Sequence, residues 1–243
     1  FDHQSLFGGP PATSATSGYP NVVYFCAITG GALADSSTMT GCSRSRDGGI
    51  TFLPTANPPF PARQAPEGYD ANPWCDGAAG HGVVDAEGTV YLARGWCLEP
   101  YVAISRDEGD TWEQVRLPGP KHPPGSHEAN VAVDKAGTIY VTWIDEQRDV
   151  IVTHSSDKGK TWTEPVNVMP PGTSQASLPA IAAGDAGRVA LTFVATTAAK
   201  DAPEESKTWN AYMVTGYGMD GNDPTFYSVA LNDPADSTWR GEC

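Results

Sequence analysis

The sequence predicts an all-β protein, and three observations lead to that prediction. Glycine and proline are frequent, with 26 and 21 copies among 243 residues, which is typical of a chain with many turns. Apolar residues alternate over short runs such as residues 101–104 and 150–153, and a period of two indicates strands. An eight-residue pattern also recurs three times, which indicates a repeated structural unit.

The recurring pattern is Ser-x-Asp-x-Gly-x-Thr followed by Trp or Phe, and we call its three copies the repeat turns. Asp accepts backbone N–H bonds across a bend and Gly supplies a positive φ, so the pattern predicts a hairpin turn between two strands. The repeat turns occupy residues 45–52, 105–112 and 155–162. Their fixed positions are Ser45, Asp47, Gly49, Thr51, Phe52, Ser105, Asp107, Gly109, Thr111, Trp112, Ser155, Asp157, Gly159, Thr161 and Trp162.

A second repeat precedes the repeat turns at residues 84–91 and 133–140, with a looser copy at 183–190. Each copy predicts a strand, a short Asp/Gly turn and a second strand. Two hairpins give four strands per unit, which is the blade of a β-propeller. The sequence therefore predicts one propeller domain over residues 1–243, with four-stranded antiparallel blades at about 1–56, 75–117, 127–168 and 177–231.

The five cysteines show no metal-ligand spacing and predict disulfides instead. Cys26 and Cys42 lie on the two arms of one candidate strand pair, and Cys75 and Cys97 bracket another. Cys243 is left over, which predicts a partner in further sequence or on another chain. Disulfides in turn predict an extracellular location, either secreted or on the cell surface.

Charge and hydropathy exclude several classes of function. The net charge of −14 argues against nucleic acid as a partner, because a phosphate backbone would be repelled. The sequence contains no run of 18 apolar residues, so no transmembrane segment is predicted. No motif predicts a metal or another cofactor.

The repeat turns, with strand runs such as residues 139–143, resemble the Asp-box (BNR) repeats of the sialidase, or neuraminidase, superfamily. Residues 41–45, 75–81 and 240–243 further resemble uncharacterised bacterial exported sialidase-like proteins. The resemblance implies a propeller, usually six-bladed, whose Asp-boxes lie on outer turns remote from the active centre. About four blades and an unpaired Cys243 therefore predict that this chain is part of a six-bladed or larger ring. Cys243 predicts a partner that forms a disulfide or completes the blades. A complete four-bladed ring is the alternative.

The catalytic pattern of sialidases does not carry over to this sequence. The resemblance implies three arginines that hold the substrate carboxylate, the first in a Phe/Tyr-Arg-Ile-Pro motif near the start. The nearest run here, residues 60–63, is rich in proline and follows the first repeat turn. No arginine triad can be assigned, so the catalytic residues stay unknown.

Polar residues near the starts of the innermost strands are candidates for a binding site, because propellers usually bind ligands at the central mouth. Imidazole and carboxylate groups there suit a metal or a sugar, although capping of strand ends is the alternative role. The candidates are Asp2, His3, His81, His127 and Glu128. Trp96, Trp143 and Trp209 have rings that can stack on sugars, but Trp143 lies in an alternating strand and is predicted to be a core residue.

A fold signature without a catalytic signature predicts a secreted binding or assembly module for a glycan or another protein chain. The alternative is a sialidase-type exo-glycosidase with an incomplete or divergent catalytic site.

Overall fold

The computed structural model describes residues 2–12, 19–30, 38–64, 67, 75, 77, 79–122, 129–221 and 223–241. Four antiparallel sheets follow one another along the chain. Sheet 1 contains β1 (Asp2–Gly9), β2 (Val22–Gly30), β3 (Thr38–Ser45) and β4 (Leu53–Pro54). Sheet 2 contains β5 (Val83–Val84), β6 (Val90–Trp96), β7 (Glu99–Ser105) and β8 (Glu113–Arg116).

Sheet 3 contains β9 (Asn130–Val133), β10 (Ile139–Ile144), β11 (Val150–Ser155) and β12 (Val166–Asn167). Sheet 4 contains β13 (Gln175–Ala183), β14 (Val189–Thr196), β15 (Thr208–Tyr217) and β16 (Thr225–Ala230), and β17 (Trp239–Arg240) pairs with the start of β15. In each sheet the strand order follows the chain order. Four such meanders in succession are blades of a β-propeller.

Sheet 4 differs from the predicted fourth unit at both ends. It begins at Gln175 instead of residue 177, and its outer edge continues beyond residue 231. After Ala230 the side chain of Asn232 accepts the Ala211 N–H at 2.8 Å. This side-chain oxygen replaces a backbone carbonyl as the acceptor, and β17 then continues the pairing with β15.

The repeat turns connect the third and fourth strands of sheets 1, 2 and 3. In the first of them Ser45 Oγ donates to Asp47 Oδ1 at 2.7 Å and accepts the Gly49 N–H at 2.9 Å. Thr51 Oγ1 donates to the other carboxylate oxygen at 2.6 Å, and the same bond recurs at 2.6 Å in the other two turns. The Thr51 bonds hold the pKa of Asp47 at about 2. In each turn the Ser, Asp and Thr side chains thus bond to one another.

Aspartates also organise the inner hairpins of sheets 2 and 3. Asp85 Oδ1 accepts the Thr89 N–H at 2.9 Å, and Asp85 Oδ2 accepts the Tyr91 hydroxyl at 3.1 Å. Asp134 makes the corresponding bonds to Thr138 and Tyr140 at 3.0 and 2.9 Å. The aspartate, threonine and tyrosine of each hairpin are buried, so these hydrogen bonds lie in an environment where an unpaired group is costly.

The two middle sheets are buried on both faces. In β6, Val90 and Leu92 pack into the core shared with sheet 1, whereas Tyr91 and Ala93 pack into the core shared with sheet 3. The alternation follows because successive side chains of a strand point to opposite faces. All seven residues of β6 are buried. Each middle sheet therefore serves two interfaces.

The first and last sheets are buried on one face only. Tyr24 in β2 packs towards sheet 2 and Leu191 in β14 packs towards sheet 3. Their neighbours Phe25 and Ala190 belong to the opposite faces and are only partly buried. Within the described residues, no strand of sheet 1 makes an extensive contact with a strand of sheet 4. The four sheets form an open arc.

The structure joins the same cysteine pairs that the sequence predicts. Cys26 and Cys42 lie directly opposite each other on β2 and β3 and form a disulfide. Cys75 is joined to Cys97 in the turn between β6 and β7. Cys243 lies outside the described residues.

Candidate functional site

A pocket of about 170 Å³ lies where the inner strands of all four sheets approach one another. We call it the axial pocket. The lining residues come from β1, from β9, from β13 and from the segment that precedes β5. They are His3, Gln4, Ala79, Gly80, His81, Asn130, Leu178, Pro179 and Ala180. A site shared by all four sheets is fixed by the packing of the whole arc.

Two β-bulges shape the pocket from opposite sides of the arc. The register of β1 shifts between Asp2 and Ser5, and that of β13 shifts between Ser177 and Ala180. His3 and Leu178 adopt positive φ values of 50° and 56° there. Such a backbone costs a non-glycine residue about 1–3 kcal/mol and is concentrated at functional sites. Bulges also re-aim side chains, and both residues line the pocket.

A chain of hydrogen bonds ties the four sheets together beneath the pocket. Ser5 Oγ accepts the Gly82 N–H at 3.1 Å, which links sheet 1 to sheet 2. Asn130 links the next two interfaces, because Oδ1 accepts the His81 N–H at 2.9 Å and Nδ2 donates to Pro179 O at 2.7 Å. The backbone around the pocket is therefore held in place before any ligand binds.

Gly80 permits the close approach of sheets 2 and 3 at this level. A Cβ at this position would lie 2.1 Å from Ala129 O and 2.6 Å from Asn130 Oδ1. Neighbouring Ala79 forms a parallel bridge with Ala129. A side chain on residue 80 would therefore separate the inner strands.

The lining combines polar side chains with an apolar wall. Gln4 and His81 are exposed, and the His81 Nδ1 lies 3.5 Å from Ser5 Oγ. Leu178 is 47% exposed, and Pro179 lies beside it. Amide and imidazole groups can bond hydroxyl groups, and the apolar wall suits C–H groups. Among the described residues, the lining contains no arginine, lysine, aspartate or glutamate.

The structure brings two of the five predicted site residues, His3 and His81, into one pocket. The side chain of Asp2 and the whole of His127 and Glu128 lie outside the described part of the chain. Sequence reasoning missed Gln4, Asn130 and the 178–180 bulge. Pro179 was the available signal, since proline inside a strand marks a bulge or an edge.

The tryptophans considered for sugar stacking are core residues. Trp96, Trp143 and Trp209 are 5%, 0% and 3% exposed. The Trp143 indole donates to Pro120 O at 3.1 Å, and the Trp209 indole to Gly241 O at 2.7 Å. A stacking role for Trp96 or Trp209 is therefore corrected, because a ring that is covered by protein has no face left for a sugar.

Three arginines make contacts within the scaffold, and none of them is among the described residues that line the axial pocket. Arg46 forms an ion pair with Glu108 across sheets 1 and 2, and Arg106 pairs with Glu113 at 2.9 Å. Arg94 is fully buried and donates to Thr40 Oγ1 at 3.0 Å. Among the described residues, no three His, Cys, Asp or Glu side chains lie close enough to hold a metal ion.

No helix in the described residues has the length and apolar character needed to cross a membrane. No protein-family model matches the sequence. No curated protein matches it either.

Solved structures do match the fold. A mutant of the NanB sialidase from Streptococcus pneumoniae aligns over 82% of this chain and 30% of its own, with 16% identity and a TM-score of 0.56. An α-L-arabinofuranosidase from Fusarium graminearum aligns over 93% of this chain and 66% of its own, with 12% identity and a TM-score of 0.56. A leech intramolecular trans-sialidase aligns over 82% and 30%, with 17% identity and a TM-score of 0.51.

The chain thus spans 30% of the two sialidases and 66% of the arabinofuranosidase. At these identities the likeness shows the fold alone. Four successive four-stranded sheets and these matches lead to one conclusion: the chain has the sialidase-like β-propeller fold, present here as an open arc of four blades.

Proposed function

We propose that the protein is a carbohydrate-binding propeller module whose axial pocket holds one sugar residue. The observation that carries the proposal is the convergence of all four inner strands on a pocket lined by Gln4 and His81 on one side and Leu178 on the other. At about 170 Å³ the pocket is smaller than the roughly 300–1,000 Å³ of sites for drug-sized ligands. A single ring suits that size.

The structural neighbours support a glycan as the ligand. The arabinofuranosidase structures contain an iminosugar inhibitor or arabinobiose, and the leech enzyme contains 2,7-anhydro-Neu5Ac. Propellers with this fold therefore hold sugars. For this chain the same class of ligand is the proposal.

Binding is favoured over hydrolysis because of what lines the pocket. Glycoside hydrolysis generally uses two carboxylates on either side of the scissile bond. The lining residues of the described structure include no Asp or Glu. They can bind and orient a sugar but provide no acid and no nucleophile.

The disulfides support an extracellular setting for this module. Cys26–Cys42 and Cys75–Cys97 persist in oxidising compartments and are rare in the cytosol. We expect the four thiols to resist alkylation in the native, unreduced protein. Labelling of all four would contradict this location.

Ligand binding can be measured by saturation-transfer NMR with methyl glycosides of arabinose, galactose and N-acetylneuraminic acid. Gln4→Ala and His81→Ala each remove a polar group that faces the pocket, so we expect binding to weaken by about fivefold to tenfold. Lys135→Ala is the matched control, since Lys135 is exposed, does not line the axial pocket and pairs with Asp185. Its affinity should equal that of the wild type.

Two outcomes would overturn the proposal. The first is that no sugar gives a transfer signal, or that both pocket variants bind as well as the control. The second is release of the aryl group from aryl glycosides by the wild-type protein, which would favour the glycosidase instead.

A further inference from the structure

Residues 79–82, which we call the pocket segment, carry Gly80 and His81 into the axial pocket from outside a regular strand. In sheets 1 and 4 the wall of the pocket belongs to β1 and β13, strands of eight and nine residues. The inner strand of sheet 2, β5, contains two residues and follows the pocket segment. The bonds of the segment to sheets 1 and 3 go to the side chains of Ser5 and Asn130. A long backbone ladder therefore holds the wall in sheets 1 and 4 but not in sheet 2.

A disulfide fixes the path of the chain just before the pocket segment. Cys75 is joined to Cys97, in the turn that follows β6. Further along, a Cβ on Gly77 would lie 1.9 Å from Gly95 O, so the backbone there lies directly against the end of β6. Ala79 then forms an antiparallel bridge with β6. Three successive contacts thus guide the chain along the end of β6 towards the pocket, and the first of them is covalent.

The turn that carries Cys97 is held in an uncommon backbone conformation. Trp96 pairs with Glu99, and the two residues between them, Cys97 and Leu98, have φ values of 55° and 62°. Two-residue hairpin loops of this kind favour Asn-Gly or Asp-Gly. A residue with a side chain keeps a positive φ only where the surrounding structure imposes it. The disulfide and the bond from the His122 N–H to Leu98 O at 2.8 Å both hold this turn.

The other disulfide differs in its relation to the pocket. Cys26 and Cys42 lie within β2 and β3, which pair continuously from Val23 to Gly30. Backbone pairing therefore flanks this disulfide on both sides. Neither cysteine is among the residues that line the axial pocket. Its removal should lower stability but leave the pocket of the folded protein in place.

We propose that the Cys75–Cys97 disulfide positions the pocket segment, and that reduction of this disulfide weakens the binding of a sugar in the axial pocket. The inference rests on the proposed function of that pocket. With the disulfide formed, the chain enters the pocket along a fixed path, and Gly80 and His81 keep the positions that a ligand meets. With the disulfide reduced, the pocket segment loses the covalent contact of the three that guide it.

A dithiol reductant carries out the change in two exchange steps. One thiolate of the reductant attacks the sulfur of Cys97, which is 9% exposed whereas Cys75 is fully buried. This step forms a mixed disulfide and releases the Cys75 thiolate. The second thiol of the reductant then displaces Cys97, so the reductant leaves as a disulfide. Two electrons pass to the protein, and each cysteine takes up one proton.

Paired variants test the positioning in a protein that carries Cys243→Ser. Cys75→Ala with Cys97→Ala should weaken the binding of the methyl glycosides of arabinose, galactose and N-acetylneuraminic acid by about fivefold, the effect of losing one polar contact. Cys26→Ala with Cys42→Ala is the matched control and should bind them like the wild type. Both are measured at a temperature where circular dichroism shows folded protein. Equal affinities in the two paired variants would overturn the proposal.

The His81 ring signals in the NMR spectrum test the positioning without any ligand. The variant Cys26→Ala, Cys42→Ala, Cys243→Ser retains only Cys75 and Cys97, so it can be folded first and then reduced with dithiothreitol. Reduction should shift the His81 signals, which His81→Gln assigns. Bridging the two thiols with diiodomethane, which forms S–CH2–S and releases two iodides, should restore the signals.

The signals of His154 are the internal control, because His154 lies on β11 and does not line the axial pocket. They should stay in place on reduction. Unchanged His81 signals would overturn the positioning role, and so would an equal shift of the His154 signals, which indicates general unfolding. A wild type that binds none of the three glycosides contradicts the proposed function instead, and the His81 signals still decide the role of the disulfide.

Discussion

His122 is an imidazole whose ionisation is set by the packing of sheets 2 and 3. The side chain is 1% exposed, the backbone N–H of His122 donates to Leu98 O at 2.8 Å, and the centre of the His122 ring lies 6.4 Å from that of Trp143. Burial lowers the pKa of His122 to about 4. The folded protein therefore keeps this side chain neutral at pH values where the unfolded chain protonates it.

This difference predicts a pH dependence of stability. The unfolded histidine titrates near 6.5, so between pH 6.5 and 4 the unfolded state binds more protons and stability rises with pH. The contribution is complete above pH 6.5 and is lost as the pH falls towards 4. We expect the free energy of unfolding in urea to be about 2 kcal/mol lower at pH 5 than at pH 7.5, at about 1.4 kcal/mol per pKa unit.

His122→Gln should remove most of that pH dependence. The remainder comes from His154, whose pKa burial also lowers. Equal losses of stability in the wild type and the variant between pH 7.5 and 5 would show that His122 does not contribute.

Single residues were the hardest to predict from the sequence. The charged stretch 145–149 suggests a solvated loop, yet Asp145 is 5% exposed and accepts the Gln147 and Asp149 N–H groups at 2.9 Å each. Burial raises the pKa of Asp145. The adjacent Glu146 makes a contact distant in sequence, because its backbone N–H donates to Lys121 O in the connection between sheets 2 and 3. Local composition contains no trace of such a contact.

At the scale of elements, strands and turns were predictable because their signals are local. Alternating residues determine which side chains face each neighbour, and Asp with Gly determines the turns. The bulges at His3 and Leu178 were not predictable in the same way. A bulge depends on pairing with another strand, and so does the pocket that the two bulges shape.

Two aspartates in neighbouring inner hairpins allow the contribution of a buried aspartate to stability to be compared with that of an exposed one. Asp134 is buried and its Oδ2 accepts the Gly187 N–H at 2.9 Å, which ties sheet 3 to sheet 4. Asp185 lies one position later in the turn of the neighbouring hairpin of sheet 4, where it is exposed and pairs with Lys135. Asp134→Ala should cost about 3 kcal/mol of unfolding free energy, because several buried donors lose their acceptor.

Asp185→Ala is the control and should leave the melting temperature unchanged, since exposed ion pairs contribute little. Thermal denaturation followed by circular dichroism compares the two. Similar melting temperatures for both variants would argue against a structural role of the Asp134 bonds.

At the scale of the whole molecule, the described sheets form a linear stack in which sheets 2 and 3 have neighbours on both faces. Stability in such arrays is roughly a sum over nearest-neighbour interfaces. Local opening should therefore begin at the ends of the arc, where each sheet has one interface to lose.

Hydrogen exchange should reveal this gradient. Amides of β6 and β10 should exchange most slowly, and those of β2 and β14 faster. Uniform protection of all four sheets would contradict the linear stack.

The disulfide between Cys26 and Cys42 determines which face of sheet 1 points away from sheet 2. A slip of one residue between paired strands exchanges the two faces of a sheet, and among the described residues no other sheet packs on the Phe25 face of sheet 1 to oppose that error. Because the two cysteines lie directly opposite each other on β2 and β3, the covalent bond permits only one alignment. Phe25 therefore points away from sheet 2 in every molecule.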